Sequence, residues 1–350
     1  MFKRFHPRLL LLALLPTLAA CDVVEGIVTE QEPAPSTAAL FPVRLDNAWG
    51  FVDARGRMTI EPRYVGAGAF SEGVGRARVG NGWRVGFVHP DGEWLIEPRF
   101  EEAGSFSEGL AAVRIDGRWG YVDQRGALAI APAYTAASAF REGRAFVRTL
   151  QYKWVYLDNK GNEVRAETTP LNLQEHGGGD FANGLALVHP SGQGWGYVGK
   201  DGALAIPAEY QSAQPFSDGL AAVKVSDRWG YINTKREMVI APGFVGAGAF
   251  SDGLAPVRTG NLWGYANKQG ASVIEAAYEE ARPFREGRAA VRVGTKWGFI
   301  DKTGAVVIAP ALDGVESFQN GLAVVYKSAG AATRHGYVDR AGAYVWVPTD

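Results

Sequence analysis

Six carboxylates recur at one position of a short pattern. Glu72, Glu108, Glu142, Asp218, Asp252 and Glu286 each fill the third place of Phe-[Ser/Arg]-[Glu/Asp]-Gly. A row of carboxylates is the raw material of acid–base chemistry. Asn183 and Asn320 hold the same place in two further copies, and an amide cannot accept and return a proton as a carboxylate does. Asp, Asn and Glu are all explained by a turn, so the row is assigned to turns. A second carboxylate pattern, Asp-x-x-Gly, begins at Asp53, Asp123, Asp158, Asp301 and Asp339. It lacks the dense oxygen ligands of a calcium loop and suits a type I turn, with Asp first and Gly fourth. The five histidines do not cluster: His6 is near the start, His89 and His189 precede prolines, His176 lies in an insertion and His335 is near the end. No nucleophile elbow, His-x-x-x-His pair or phosphate-cradling Gly-Lys-[Ser/Thr] occurs. The expectation is a chain that is not an enzyme and holds no metal or cofactor.

Eight of the ten tryptophans recur with the repeat: Trp49, Trp83, Trp119, Trp154, Trp195, Trp229, Trp263 and Trp297. They could be stacking platforms for sugars. A structural role suits them better, because repeats need a shared buried seam. His335 takes the same slot in the last unit, where an indole facing solvent is dispensable.

The elements that position these residues are written nine times between Phe41 and Asp350. Stretches 109–143, 219–253 and 253–287 each run from Gly to Gly with a period of 34. In the first of these, Leu110 to Ile115 reads as a strand and Asp116-Gly117 as a two-residue hairpin turn. Trp119 to Asp123 is the second strand. Ala127 to Ala131 is the third, stopped by Pro132, which cannot donate to a ladder. A connector follows with Tyr134, Ala137 and Phe140 at a helical spacing of three, compatible with one short helical turn. Within the strand, Trp119 and Gly120 point to opposite faces. One face carries the largest side chain, and the other lets a neighbouring backbone come close. The fold expected is all-β, a repeat protein of about nine antiparallel three-stranded units arranged as an elongated, twisted array. A closed ring resembling a β-propeller is the alternative. Propeller blades usually have four strands and about 40–50 residues, and nine exceed the usual count.

The pattern Trp-Gly-[Tyr/Phe]-[Val/Ile]-[Asp/Asn], the following Gly, Ile-x-Pro and Phe-Ser-[Glu/Asp]-Gly-Leu-Ala-x-Val resembles the WG-repeat family of bacterial proteins, over residues 41 to 350. The resemblance implies a surface-anchored or secreted protein and no general enzymatic activity. Trp83, Trp154 and His335 mark the units that depart from the pattern.

Composition narrows the setting. The chain has 350 residues, net charge -1 and a single cysteine, Cys21. This excludes a disulfide framework and lacks the basic excess of a nucleic-acid binder. Lys3, Arg4 and Arg8 precede an apolar run, Leu9 to Leu15, too short to span a bilayer. Residues 1–20 have the layout of a secretory signal. Leu18-Ala19-Ala20-Cys21 looks like the lipobox of bacterial lipoproteins, which implies cleavage before Cys21 and its acylation with palmitate-type chains. Removing three basic residues leaves 33 Lys and Arg against 37 Asp and Glu, so the anchor would hold by acyl chains rather than charge. Residues 21–40, with Pro33 and Pro35, read as a flexible tether. The expected location is the cell envelope: the periplasmic side of the inner or outer membrane, or the cell surface. Insertion 168–180 (TTPLNLQEHGGGD) lengthens one repeat and is read as a binding loop, a tolerated surface loop, or a joint near 165–180. The expected role is a non-enzymatic binding or scaffold lipoprotein for a protein partner. A glycan or peptidoglycan binder is the alternative. An enzyme with a site in the irregular 150–180 region comes third.

Overall fold

A computed structural model of the chain describes residues 39–80, 82–164, 173–329 and 332–347. Residues 1–38, on which the expected signal segment, Cys21 and most of the expected tether fall, lie outside the described residues, as do 165–172 of the irregular region. Every regular element among the described residues is a β-strand. The strands form nine antiparallel sheets, here called blades 1 to 9: 41–64, 66–100, 102–134, 136–164, 173–210, 212–244, 246–278, 280–312 and 314–346. Blade 1 has three strands and the other eight have four.

Blade 6 shows how the sequence makes a blade. Its strands are Ser212–Ala213, Leu220–Val225, Arg228–Asn233 and Met238–Phe244. Ser226 and Asp227 both take positive φ between the second and third strands, the backbone a two-residue hairpin turn demands. In the third strand Trp229 pairs with Phe244 and Tyr231 with Ile240, so the fourth strand carries a bulge between them. Pro242 sits in that bulge, where its missing N–H leaves no gap in the ladder. The bulged backbone crosses over Gly230: a methyl there would lie 2.5 Å from the Ile240 carbonyl oxygen and 2.8 Å from the Pro242 nitrogen. Gly120 meets Ile130 and Pro132 in the same way. Both contacts are backbone and cannot swing aside. Gly230→Ala should therefore cost about 1–3 kcal/mol of unfolding free energy through overpacking, measured by urea denaturation; an unchanged midpoint would show that the bulge relaxes freely.

The three-stranded unit needs correction. The connector is not a helical turn but the first strand of the next blade: Ser212 and Ala213 pair with Lys224 and Val223. The strand is only two residues long, and one residue, Gln211, links it to the preceding blade. That economy is how 34 residues suffice for four strands.

The elongated array is also corrected: the chain closes into a nine-bladed β-propeller, the alternative arrangement. Nine hydrophobic clusters occupy nine seams, one between each pair of adjacent blades. The ninth joins blade 9 to blade 1 through Phe41, Val43, Val52, Leu322 and Tyr337. An open stack would leave this apolar surface in water at both ends, and closure removes it.

One kind of ring pair recurs in every seam. The aromatic two residues after the Trp slot packs against a Phe of the next blade: Phe51–Phe70, Phe87–Phe106, Tyr121–Phe140, Tyr156–Phe181, Tyr197–Phe216, Tyr231–Phe250, Tyr265–Phe284 and Phe299–Phe318. Tyr337–Phe41 closes the set, and centroid distances span 4.7–5.3 Å. These rings, rather than the indoles, are the fully buried core. Each buried tyrosine hydroxyl needs a partner. Tyr121, Tyr197, Tyr231 and Tyr265 donate to the carbonyls of Ser138, Gln214, Gly248 and Arg282 in the next blade, at 2.7–2.9 Å.

The closing seam solves the same problem differently. In blade 6 the Gln214 N–H, directly after the first strand, donates to the Ala222 carbonyl. Among the described residues blade 1 has no such first strand. Tyr337 Oη donates instead to the Pro42 carbonyl at 2.9 Å, the group at the corresponding place in blade 1. Gly56 packs on Val345, and Trp49 stacks on His335 at 5.2 Å.

Candidate binding surface

Strands of a blade alternate in direction, so its turns fall at two ends. The Phe-x-[Glu/Asp]-Gly turns and the Asp-x-x-Gly turns share one end. The two-residue hairpins and the links between blades share the other.

At the first end the acidic tetrads form turns, as the sequence implies. Glu72, Glu108, Glu142, Asn183, Asp218, Asp252, Glu286 and Asn320 all hold φ between 51° and 55°. Each of the first seven also reaches into the next repeat. Glu72 accepts hydrogen bonds from the Glu108 and Gly109 N–H groups. Glu108, Glu142, Asn183, Asp218, Asp252 and Glu286 accept from the N–H of Gly143, Gly184, Gly219, Gly253, Gly287 and Gly321. Acceptance from an N–H is a task an amide oxygen performs as well as a carboxylate, which explains Asn183. Asp252→Asn should therefore stay within about 0.5 kcal/mol of wild type, whereas Asp252→Ala should lose about 0.5–1.5 kcal/mol for the hydrogen bond and more for a Cβ at positive φ. Equal midpoints for the two variants in thermal melts would refute this bridging role.

Glu142 adds an ion pair. Burial pushes its carboxyl up, while Lys200 at 3.1 Å and the Gly184 N–H oppose this and leave it below its ordinary value. At the Asp-x-x-Gly turns, Asp53 and Asp123 Oδ1 each accept two backbone N–H groups, from Arg55 and Arg57 and from Arg125 and Ala127. The Arg125 side chain, then these backbone bonds, lower the Asp123 carboxyl further. Their Oδ1 atoms are committed to backbone and their Oδ2 atoms to the Arg57 and Arg125 side chains, and among the described residues no three His, Cys, Asp or Glu gather into a metal-holding group.

The second end carries a different chemistry. The Trp slot faces a cation across the strand pair: Arg44–Trp49, Arg114–Trp119, Arg148–Trp154, Lys224–Trp229, Arg258–Trp263 and Arg292–Trp297. Carboxylates join several of these rows: Glu102 to Arg114 at 2.6 Å, Asp227 to Lys224 at 3.2 Å and Glu280 to Arg292 at 2.5 Å. Sequence reasoning singled out the indoles but not these cations. The signal was present, since a basic residue stands five places before Trp in five of the rows.

The indoles themselves are edge residues. Trp297 is buried, while Trp49, Trp119, Trp154, Trp195, Trp229 and Trp263 are half-buried. Several have a face already covered. His335 stacks on Trp49, Phe146 on Trp154 at 4.5 Å and His189 on Trp195 at 4.7 Å. Arg258 lies over Trp263 at 5.7 Å and Arg282 over Trp297 at 4.6 Å. His335 is partly buried by this packing, which pulls its pKa below the ordinary imidazole value.

Trp83 departs from the set. It is 63% exposed, with φ at 55°. Its slot in the sheet belongs to Val85, which pairs with Arg78 and Phe100. The sequence contained this as Val85-Gly86-Phe87, a Trp-Gly-Phe with valine in first place.

Part of the irregular insertion is ordinary blade. Leu173–Ala182 is the first strand of blade 5, and Tyr156 Oη donates to the Gly179 carbonyl at 2.9 Å. Gly178 is required there because the Phe146 ring fills the space a side chain would occupy.

Comparisons agree with this repeat pattern. A family model described as WG containing repeat matches residues 49–83, 86–119, 119–154, 195–229, 229–263, 263–297 and 297–328. Among solved structures, the chain is similar to the computationally designed Ika8 protein. That match has 12% identity and a TM-score of 0.47, covering 79% of this chain and 94% of that one. It is also similar to BamB from Moraxella catarrhalis, at 13% identity and a TM-score of 0.42, covering 87% and 92%. The comparison with curated proteins finds no match.

Proposed function

The chain belongs to the WG containing repeat family, and from that premise we propose a non-enzymatic cell-envelope protein whose ring holds a protein partner at its hairpin end. The observation that carries this reading is the set of Arg/Lys–Trp rows gathered there. Arg and Trp are the side chains that most often dominate protein–protein binding energy. Most of these side chains are half-buried, hence held in place before a partner arrives, which reduces the ordering cost of association. At the opposite end the turn carboxylates are engaged by backbone N–H groups and by neighbouring Arg and Lys side chains of the same chain. Covered faces on five of the indoles weigh against the glycan alternative, because a sugar ring needs an open face to stack upon.

The address follows from residues 1–21. Acylation at Cys21 would tie the ring to a membrane, and the net negative charge of the processed chain would keep its surface off anionic headgroups. Cys21→Ser should move the protein from the membrane to the soluble fraction.

Photo-crosslinking in intact cells tests the binding face. Probes at exposed Arg118 and Arg228, on the hairpin end, should trap one discrete protein adduct; a probe at Asp218, on the opposite end, should not. Adducts from Asp218 alone, or from none of the three, would refute the assignment.

A further inference from the structure

The nine Trp slots hold seven tryptophans, His335 and Val85, and the valine leaves a space. Blade 7 shows what the space is for. There the Trp263 ring lies against Gly246 and Arg258, its Cη2 atom 3.0 Å from where a Gly246 methyl would be. Blade 2 repeats the same row with Gly66, Arg78 and Val85. Around the corresponding point of Gly66 only Arg78 comes within 4 Å. The result is a recess of about 210 Å³ lined by Gly66, Arg76, Arg78, Val85 and Glu102. It opens beside a shallower hollow of about 560 Å³ that shares Arg78 and Glu102 and is bordered by Trp83, Arg84 and Glu101. An apolar cavity of about 150 Å³ holds a benzene ring, so the recess has room for a larger planar group.

We propose that this recess receives an aromatic side chain, an indole by preference, from an acidic segment of the partner protein. The rest of the ring supplies the template: in blade 7 the same glycine and arginine frame the protein's own indole, with the Arg258 guanidinium over the ring. Arg78 is placed to do the same for a visiting ring. The acidic flanks follow from charge. Arg76, Arg78 and Arg84 line the recess and the hollow, whereas the two glutamates that also line them, Glu101 and Glu102, are both engaged by Arg114 at 3.6 and 2.6 Å. The Arg76 guanidinium donates to the Ala103 carbonyl, while Arg78 has no side-chain hydrogen bond or ion pair among the described residues. An unpaired cation beside an unfilled aromatic slot selects a ring next to carboxylates. Exposed Trp83 forms the outer wall and would cover the residue beside the inserted ring. This proposal rests on the hairpin end being the binding face and names what that face reads.

The test uses the processed chain and two synthetic peptides, acetyl-Glu-Asp-Trp-Glu-Asp-amide and its Trp→Ala counterpart, in isothermal titration calorimetry. The Trp peptide should bind and the Ala peptide should be at least about tenfold weaker. Val85→Trp restores Trp-Gly-Phe in blade 2. It should fill the recess from within, abolish peptide binding and leave the melting temperature equal or higher. If Val85→Trp folds poorly, Arg78→Ala gives the same reading, with binding about tenfold weaker at an unchanged melting temperature. Equal affinity for both peptides, or full binding by either variant, overturns the proposal. Cellular crosslinks at Arg118 and Arg228 that persist in Val85→Trp would mean the face binds a partner without this recess. Loss of those crosslinks in the wild type would sink the binding face itself.

Discussion

Raising the pH above about 10 should unfold the ring in one cooperative step, with tyrosinate absorbance appearing at the same midpoint as loss of β structure. Tyr121, Tyr156, Tyr197, Tyr231, Tyr265 and Tyr337 are buried in seams, and burial pushes all six phenols far above their ordinary value. The folded state keeps their protons over a range in which the unfolded state has lost them. Their contribution is complete below the unfolded value and is withdrawn as pH rises towards the folded one. Each neutral phenol then costs about 1.4 kcal/mol per pH unit, and six cost about 8, against a total stability usually of about 5–15 kcal/mol. Circular dichroism and absorbance followed through one alkaline titration decide it. Half-exposed Tyr326, pushed up to about 12 by burial and then by its hydrogen bond to Glu316, would titrate without unfolding if the six did not govern. Gradual ionisation with the β signal intact would exclude the seam tyrosines as the controlling groups.

Phe250→Ala should destabilise the ring more than Trp229→Ala, although Trp is the larger residue and gives the repeat its signature. Phe250 is fully buried against Tyr231 at 4.8 Å, and truncating such a ring costs about 3–5 kcal/mol. Trp229 is half-exposed, so less of its area returns to water and the loss should be about half as large. Urea midpoints of the two variants give the order directly. A larger loss for Trp229→Ala would restore the indole as the centre of the seam.

That contrast shows where the sequence was informative. The glycine of the Trp-Gly pair implies a point of close backbone approach, and Gly230 under Ile240 is such a point. The Asp-x-x-Gly turns were equally plain: the Gly56 N–H donates to the Asp53 carbonyl at 2.9 Å, with Gly56 at φ 77°. Both are local, fixed by two to four residues. The core assignment was harder. Trp229 and Tyr231 lie on one face of their strand, and alternation alone does not say which ring reaches the middle of the seam. The strand position decides it: Trp229 stands one residue after the start of its strand, beside the hairpin, and Tyr231 stands deeper. The connector misled because Tyr134, Ala137 and Phe140 have helical spacing, while a two-residue strand is too short to show alternation. Ring closure had no local signal, since it depends on the angle between blades summed over nine of them. At the candidate site, Trp83 drew attention in place of Val85, because the eye follows the indole and the register follows the glycine.

The way blade 1 is held has a mechanical consequence. Among the described residues no two blades share a strand, and blades 9 and 1 also lack the short chain link that joins every other pair, so their junction is fastened by side-chain packing, the Tyr337 phenol and a glycine contact. The polypeptide also enters the ring here, with Ala39 and Leu40 tucked into the first seams. A pull on the leading end of the chain therefore loads the one joint where covalent continuity is missing. The ring should yield there first, opening like a clasp and peeling blade by blade while the remainder stays folded.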